Sequence, residues 1–362
     1  MTREIEIGPR VINDESECYV IAELGHNHQG SVERAKEMML MARECGADAV
    51  KLQKRDNRAL YTVEQFDAPY ENENSFGATY GEHREHLEFG WDEYTELVTY
   101  ARDIGIDLFA TAFDFASADF LDKLDVPAFK IASGDLNNLP LLKHIAKFGR
   151  PMIMSTGGGT HADVRRAYET VHPINDQLCI LQCTAAYPAT FEELNLRVIT
   201  TLRQEYPDIV IGFSSHDNGI AMPVAAYVLG ARVVEKHVTF DRAAKGTDHA
   251  FSLERPGLQR MVRDLRNTRL ALGDGLKRAY ESEVAPLYKM GKKLVASRRL
   301  VAGQRLAPED VAIKSPNDGL APSELEHVLG RVLVRSLEAD ENIAWTDFDE
   351  SAPAAGRRRD GD

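Results

Sequence analysis

Short β-rich runs along the chain end, in order, in Glu23, Lys51, Thr111, Lys130 with Ser133, Ser155 with Thr156, Cys183 with Thr184, Ser214 with His216, and Glu235 with His237. Such side chains, brought to one face, could hold a metal, bind an anion and move a proton. His216 and His237 close two successive runs, which would put both imidazoles on one divalent ion with Glu23 beside them. Imidazole with oxygen ligands suits Mn²⁺, Zn²⁺ or Fe²⁺, whereas Mg²⁺ prefers oxygen alone. The competing reading is a pair of hydrogen-bonded structural histidines. Lys51 (in DAVKLQ) and Lys130 (in AFKIAS) are embedded in apolar sequence. An unpaired ammonium is costly to bury, so each must face a cleft or meet an anion. With the hydroxyls of Thr111, Ser133, Ser155 and Ser214 they would make an oxyanion pocket; alternatively each lysine pairs with a neighbouring carboxylate. A metal beside such cations fits a phosphorylated, carboxylated substrate.

Other candidates are weaker. STGGGTHADV is a glycine-rich loop entering a helix, where backbone N–H groups favour anions; the alternative is a tight turn. His26 and His28 (GHNHQG) are ligands or loop hydrogen-bonders in equal measure. His83 and His86 (YGEHREH) lie in the polar excursion, with a solvent-facing position as the alternative to a ligand role.

The elements that must position these residues alternate strand and helix. Eight strand–helix units fill about 270 residues, from CYVIAEL to the helix LERPGLQRMVRDLRNTRLALG, with a polar excursion between about 54 and 90. That alternation predicts a parallel sheet covered by helices, and eight units fit a closed (β/α)₈ barrel, whose reactive groups sit at the C-terminal strand ends. There is neither a P-loop nor a GxGxxG after a strand. The expected organisation is a barrel over residues 1–276, a linker over 277–292, a small β-rich domain over 293–350 and a disordered tail over 351–362.

Composition narrows the classes. The chain has 362 residues, 43% hydrophobic, which excludes wholesale disorder. Its net charge of −14, with basic runs only at 298–299 and 357–359, argues against nucleic-acid binding. No run of roughly 20 apolar residues predicts a membrane span, and MTREIEIGPRVINDESE is no signal peptide. Four scattered cysteines (Cys18, Cys45, Cys179, Cys183) do not read as a disulfide framework, so a cytoplasmic protein is expected.

IAELGHNHQG, GADAVKLQ, FKIASGD, STGG, QCTAAYP, GFSSHDNG and EKHVTFDRAAKGTDHAFSLE resemble, in order, the signature segments of the sialic acid synthases. The likeness spans about residues 10–350, including GQRLAPEDVAIK in the second domain. It implies a phosphoenolpyruvate-dependent transferase, a (β/α)₈ barrel followed by an antifreeze-like (SAF) domain, assembled as a domain-swapped homodimer. By the resemblance, His216 and His237 hold the metal, usually manganese or magnesium. Lys51, Thr111, Lys130, Ser133 and Ser214 hold phosphoenolpyruvate; Glu23 is acid or base near the reacting carbonyl; Tyr187 and Asp248 meet the sugar. YGEHREHLEF and KGTDH resemble the animal-type branch, which uses N-acetylmannosamine 6-phosphate. Two departures stand out. Ala185 occupies a position where many bacterial members carry an amide, and Ser315, after Lys314, replaces an arginine of the second domain.

The implied reaction condenses phosphoenolpyruvate with N-acetylmannosamine or its 6-phosphate to give N-acetylneuraminate or its 9-phosphate, and phosphate. The acceptor could instead lead to KDN, legionaminic or pseudaminic acid. Lys54, Arg55 and Arg58 would then meet a sugar phosphate or lie on solvated surface. A metal-dependent amidohydrolase fits less well, since it wants histidines where Ser155 and Cys183 stand and an aspartate where Glu235 stands.

Overall fold

The computed structural model describes residues 3–349; the tail expected to be disordered lies outside them. The described chain divides between Asp274 and Gly275 into two compact units.

The first unit is a closed, all-parallel barrel. A hairpin comes first, β1 (Glu4–Ile7) with β2 (Arg10–Asn13). The barrel strands follow: β3 (Tyr19–Gly25), β4 (Ala49–Lys54), β5 (Asp107–Ala112), β6 (Phe129–Ile131), β7 (Met152–Ser155), β8 (Leu178–Cys183), β9 (Val210–Ser215) and β10 (Val233–His237). Neighbours in sequence are neighbours in space, and β10 closes on β3. These strands are buried on both faces, which is why they read as near-continuous apolar runs rather than alternating ones.

Each barrel strand returns through an outer helix with one apolar stripe. Arg255–Leu272 buries Leu258, Met261, Val262 and Leu265, a helical spacing that faces one side inward. Val32–Glu44 starts where Ser31 accepts a hydrogen bond from the Arg34 N–H. The excursion after β4 is more ordered than its polar sequence suggests. It folds as three short helices, Asn57–Leu60, Val63–Asp67 and Tyr80–Leu87, around a cluster of packed rings that includes Tyr70, Phe76, Tyr80 and His83. His83 is therefore buried, which removes the solvent-facing alternative for it, while His86 stays exposed against Phe76.

The β1–β2 hairpin is an element the sequence reading missed. Ile5, Ile7 and Ile12 are buried, the Glu6 N–H donates to Gln177 just before β8, and Gly8 approaches Asp107 at the start of β5. The hairpin thus lies at the N-terminal strand ends, opposite the candidate chemistry.

The second unit is small. Strands β11 (Lys293–Ala296) and β12 (Val311–Lys314) pair antiparallel. Leu294, Leu300, Leu306, Leu337, Ile343 and Phe348 belong to its own core. Further pairing is by isolated bridges such as Leu300–Leu337. The helix Val284–Met290 is tied to this unit by the Asn317 N–H, which donates to the Tyr288 carbonyl. Among the described residues no helix is long and apolar enough to cross a membrane.

Barrel closure tolerates no extra atoms at Gly212 in β9. A methyl there would stand 2.4 Å from Leu181 Cδ2 and 2.5 Å from the Val233 carbonyl oxygen. Gly212→Ala is expected to destabilise the protein by about 1–3 kcal/mol, the usual range for overpacking. Denaturant unfolding measures it, and an unchanged midpoint would mean the β8–β10 spacing is slack.

Candidate active site

Strand register sets the heights of the candidate residues. Glu23 is paired across the ladder with Lys51 on one side and His237 on the other. Thr111 is opposite Lys130, and Ser214 lies between Cys183 and Glu235. One cavity of about 610 Å³ results at the C-terminal strand ends. All eleven residues singled out from the sequence line it: Glu23, Lys51, Thr111, Lys130, Ser133, Ser155, Tyr187, Ser214, His216, His237 and Asp248.

Four buried charges dominate it. Lys51 Nζ lies 2.8 Å from Glu23 Oε2 and 3.5 Å from Glu235 Oε1, and donates to Thr111 Oγ1 at 2.8 Å. Lys130 Nζ donates to Ser155 Oγ at 2.7 Å and to the Ile131 carbonyl at 3.0 Å, with Glu235 Oε2 at 3.9 Å. The two readings of the lysines, cavity cations or partners of carboxylates, are therefore both realised. Glu235, noted only as a strand end, is the residue that joins them.

Burial drives the titration of this cluster. Burial lifts Glu23 to about 7, Lys51 opposes it, and the Glu235 charge adds to the rise. Glu235 is as buried, yet Lys130 and Lys51 outweigh burial and hold it below the ordinary carboxylate value. Burial works against the Lys51 charge, but Glu23 and Glu235 prevail and keep its pKa high. For Lys130 burial wins and its pKa is depressed. With Glu23 protonated, two ammoniums face one carboxylate, and the cavity has a surplus positive charge for an anion.

The histidines fit a divalent ion by their chemistry. Burial first, then His237, lowers His216 to about 4; burial lowers His237 to about 4 despite Asp248. Both are neutral near pH 7, with lone pairs to offer. His216 Nδ1 is 2.8 Å from the Thr184 carbonyl, so it carries the proton and leaves Nε2 as the donor atom. His237 Nδ1 has no hydrogen-bond partner and lies 3.7 Å from Asp248 Oδ2. The rings are 5.4 Å apart, with the Tyr187 ring tilted against His216 at 4.2 Å. Among the described residues no group of three or more His, Cys, Asp or Glu side chains is placed to hold a metal ion. The set offers two imidazoles and leaves other positions open.

Several expectations are corrected. The glycines of the STGGGTHADV loop do not line this cavity, which the loop reaches only through Ser155: Gly158, Gly159 and Thr160 line a separate one of about 310 Å³. Its helix opens in a capping box, in which Thr160 and Asp163 take each other's N–H groups and place a carboxylate at the helix start. Lys54 pairs with Glu88 at 2.7 Å away from the cavity, and Arg58 stacks on Phe66. Of the three excursion cations only Arg55 reaches the cavity, joined there by Arg84, Asn74 and Gln53. Arg84 and Asn74 sit in sequence that reads as polar loop, and nothing local distinguishes them. Ala185 does line the cavity. Ser315 accepts a hydrogen bond from Lys292 at 2.6 Å, and Lys314 pairs with Asp340.

Residues 38–277 match the NeuB family and residues 293–349 the SAF domain. The chain is 41% identical to the N-acetylneuraminate-9-phosphate synthase of Homo sapiens over 345 residues, 95% of this chain and 96% of that protein. It is 36% identical to the N,N'-diacetyllegionaminic acid synthase of Legionella pneumophila, over 91% of this chain and 94% of the other. Among solved structures, it resembles the sialic acid synthetase of Leptospira borgpetersenii in complex with citrate. That match has 30% identity, a TM-score of 0.69, and covers 79% of this chain and 95% of that one.

The raised Glu23 value makes a signed prediction. A carboxyl moved from 4.5 to about 7 by folding holds its proton in the folded state after the unfolded chain has lost it. Its contribution to stability therefore falls as pH climbs through that window and is level above it. In EDTA, the thermal midpoint of Glu23→Gln minus that of wild type should grow between about pH 5 and about pH 8. A flat difference would contradict the raised value.

Proposed function

The chain belongs to the NeuB family, and from that membership we propose that it is an N-acetylneuraminate synthase. As a transferase it would join phosphoenolpyruvate to N-acetylmannosamine or its 6-phosphate. The observation that carries this reading is the convergence of Lys51, Lys130, Glu23 and the two histidines on one cavity.

The residues divide the work by charge. Phosphoenolpyruvate is a compact polyanion; Lys51 and Lys130, with Thr111, Ser133, Ser155 and Ser214, would hold its phosphate and carboxylate and so fix the enol carbon. Tyr187 and Asp248, at the outer side of the cavity, would orient the open-chain sugar. A divalent ion held by His216 and His237, most simply Mn²⁺ with Mg²⁺ as the alternative, would polarise the acceptor aldehyde. As the enol carbon bonds to the aldehyde carbon, the aldehyde oxygen takes a proton and becomes a hydroxyl. Glu23, whose burial raises its carboxyl well above the ordinary range and favours the protonated form, is the proposed donor. The resulting Glu23 carboxylate can then take a proton from the water that adds at the former enol-ether carbon. Phosphate leaves by C–O cleavage, and the atoms balance as phosphoenolpyruvate plus sugar plus water giving nonulosonic acid plus phosphate. Ala185 offers no hydrogen bond here, which leaves Lys130 and the hydroxyls to carry the phosphate.

The Legionella relative supports a second acceptor class, the diaminated sugars that lead to legionaminic acid. Four free cysteines suit a reducing compartment, and we place the enzyme in the cytoplasm. We also propose a domain-swapped homodimer, for which the exposed Val284, Leu287 and Met290 supply apolar surface that a partner would cover.

Phosphate release from phosphoenolpyruvate with Mn²⁺ should depend on an added acceptor and stop in EDTA. His216→Ala or His237→Ala should lose more than about 100-fold in turnover, beyond what loss of an outer-shell partner costs, with circular dichroism unchanged. Full activity in either variant would remove the metal from this place. Sedimentation equilibrium should give twice the 40.4 kDa chain mass, and a monomer would exclude the dimer.

A further inference from the structure

We propose that the buried pair Lys236–Asp217, on the outer side of the barrel wall, positions His216 and His237 relative to each other and so sets the affinity of the candidate metal site. The inference rests on the metal reading of the two histidines and goes beyond it by naming what holds them.

The backbone ladder does not tie the two imidazoles together. The register between β9 and β10 ends at the Ser215–Lys236 pair, so His216 lies one residue past the last rung. On its β8 side His216 is held twice. Its ring meets the Thr184 carbonyl, and its own carbonyl accepts from the Ala189 N–H at 3.2 Å. On the β10 side the tie is a side chain. Lys236 Nζ donates to the Asp217 carbonyl and to Ser215 Oγ at 3.1 Å, and lies 3.2 Å from Asp217 Oδ1. Ser215 Oγ donates in turn to Asp217 Oδ1. Lys236 precedes His237 and Asp217 follows His216, so the contact fastens the two segments one residue away from each imidazole.

The pair faces away from the chemistry. Glu235 and His237 line the cavity and Lys236 between them does not, as alternation along a strand requires. Beyond Lys236 the successive rungs of the ladder are Ala22, Val50 and Leu108, all apolar and buried. Lys236 and Asp217 are fully buried in that layer, yet Asp217 Oδ2 has no hydrogen-bond partner among the described residues. Desolvation offsets the attraction of such a pair, and apolar side chains of similar volume would hold the layer as well. What they would not supply is the directed bond from Nζ to the Asp217 carbonyl. Arg242 adds a second tie further out, donating to Asn218 Oδ1 at 2.8 Å and to the Ala250 carbonyl at 2.7 Å.

The test is calorimetric titration of the metal-free protein with Mn²⁺, for wild type, Lys236→Met and the double variant Lys236→Met/Asp217→Leu. The single variant strands a buried carboxylate, so the double variant, which removes both charges, decides the matter if the single one does not fold. The double variant should keep a thermal midpoint in EDTA close to that of wild type and bind Mn²⁺ about 10- to 100-fold more weakly, the usual cost of losing an outer-shell partner. Its affinity for phosphoenolpyruvate in EDTA should be unchanged, because Lys51 and Lys130 stand on β4 and β6. Wild-type Mn²⁺ affinity in the double variant, an equal loss of both ligands, or a double variant that does not fold would overturn the positioning role while leaving the metal site standing. No Mn²⁺ binding by wild type would overturn the metal reading and this inference with it.

Discussion

Two ammoniums and two carboxylates, Lys51, Lys130, Glu23 and Glu235, are held in the barrel mouth with at most 5% of each side chain exposed. Charges are expensive in such a place unless they neutralise one another. Everything else about the site follows from how incompletely these four do so. Glu235 lies between both lysines and is held below the ordinary carboxylate value, while burial raises Glu23 above it. The remaining positive charge is what an anionic substrate would satisfy. Lys130 has the weaker hold on a carboxylate, 3.9 Å against 2.8 Å for Lys51, and is the better placed to exchange partners when an anion arrives.

The fold exists in this account to keep that cluster in register. In a closed parallel barrel, neighbouring residues at one height point the same way, so pairing Glu23 with Lys51 and with His237 fixes acid, cation and imidazole together. The β1–β2 hairpin buries Ile5, Ile7 and Ile12 at the other end of the strands. The ordered excursion after β4 adds a second cationic rim from Arg55 and Arg84. The same cavity thus offers cations at its base and at its edge, with Glu23 and Gln53 between them.

The barrel was legible because its eight strands are long apolar runs, each ending in a side chain that could do chemistry. Strand ends alone found Glu23, Lys51, Lys130, His216 and His237. Tyr187 and Asp248 came only through the resemblance, since they lie on loops whose course no periodicity predicts. The hairpin escaped notice because two four-residue strands around Gly8-Pro9 carry too little pattern. The buried His83 and the cavity-facing Arg84 escaped because Tyr80–Leu87 has little apolar pattern and is fixed by ring contacts from Tyr70, earlier in the same excursion. The glycine-rich loop misled for a local reason: Asp163 supplies the anion to its own helix. Composition shows that cations are present, and only the fold shows which ones lack partners.

The central claim is that the buried cluster is an anion site waiting for phosphoenolpyruvate, and calorimetric titration of Lys130→Met with phosphoenolpyruvate tests it most directly. The account predicts that wild type binds without acceptor and that the variant, folded by circular dichroism, loses affinity by roughly 10-fold or more. Unchanged affinity in a folded Lys130→Met would contradict it and make the four charges a structural network only.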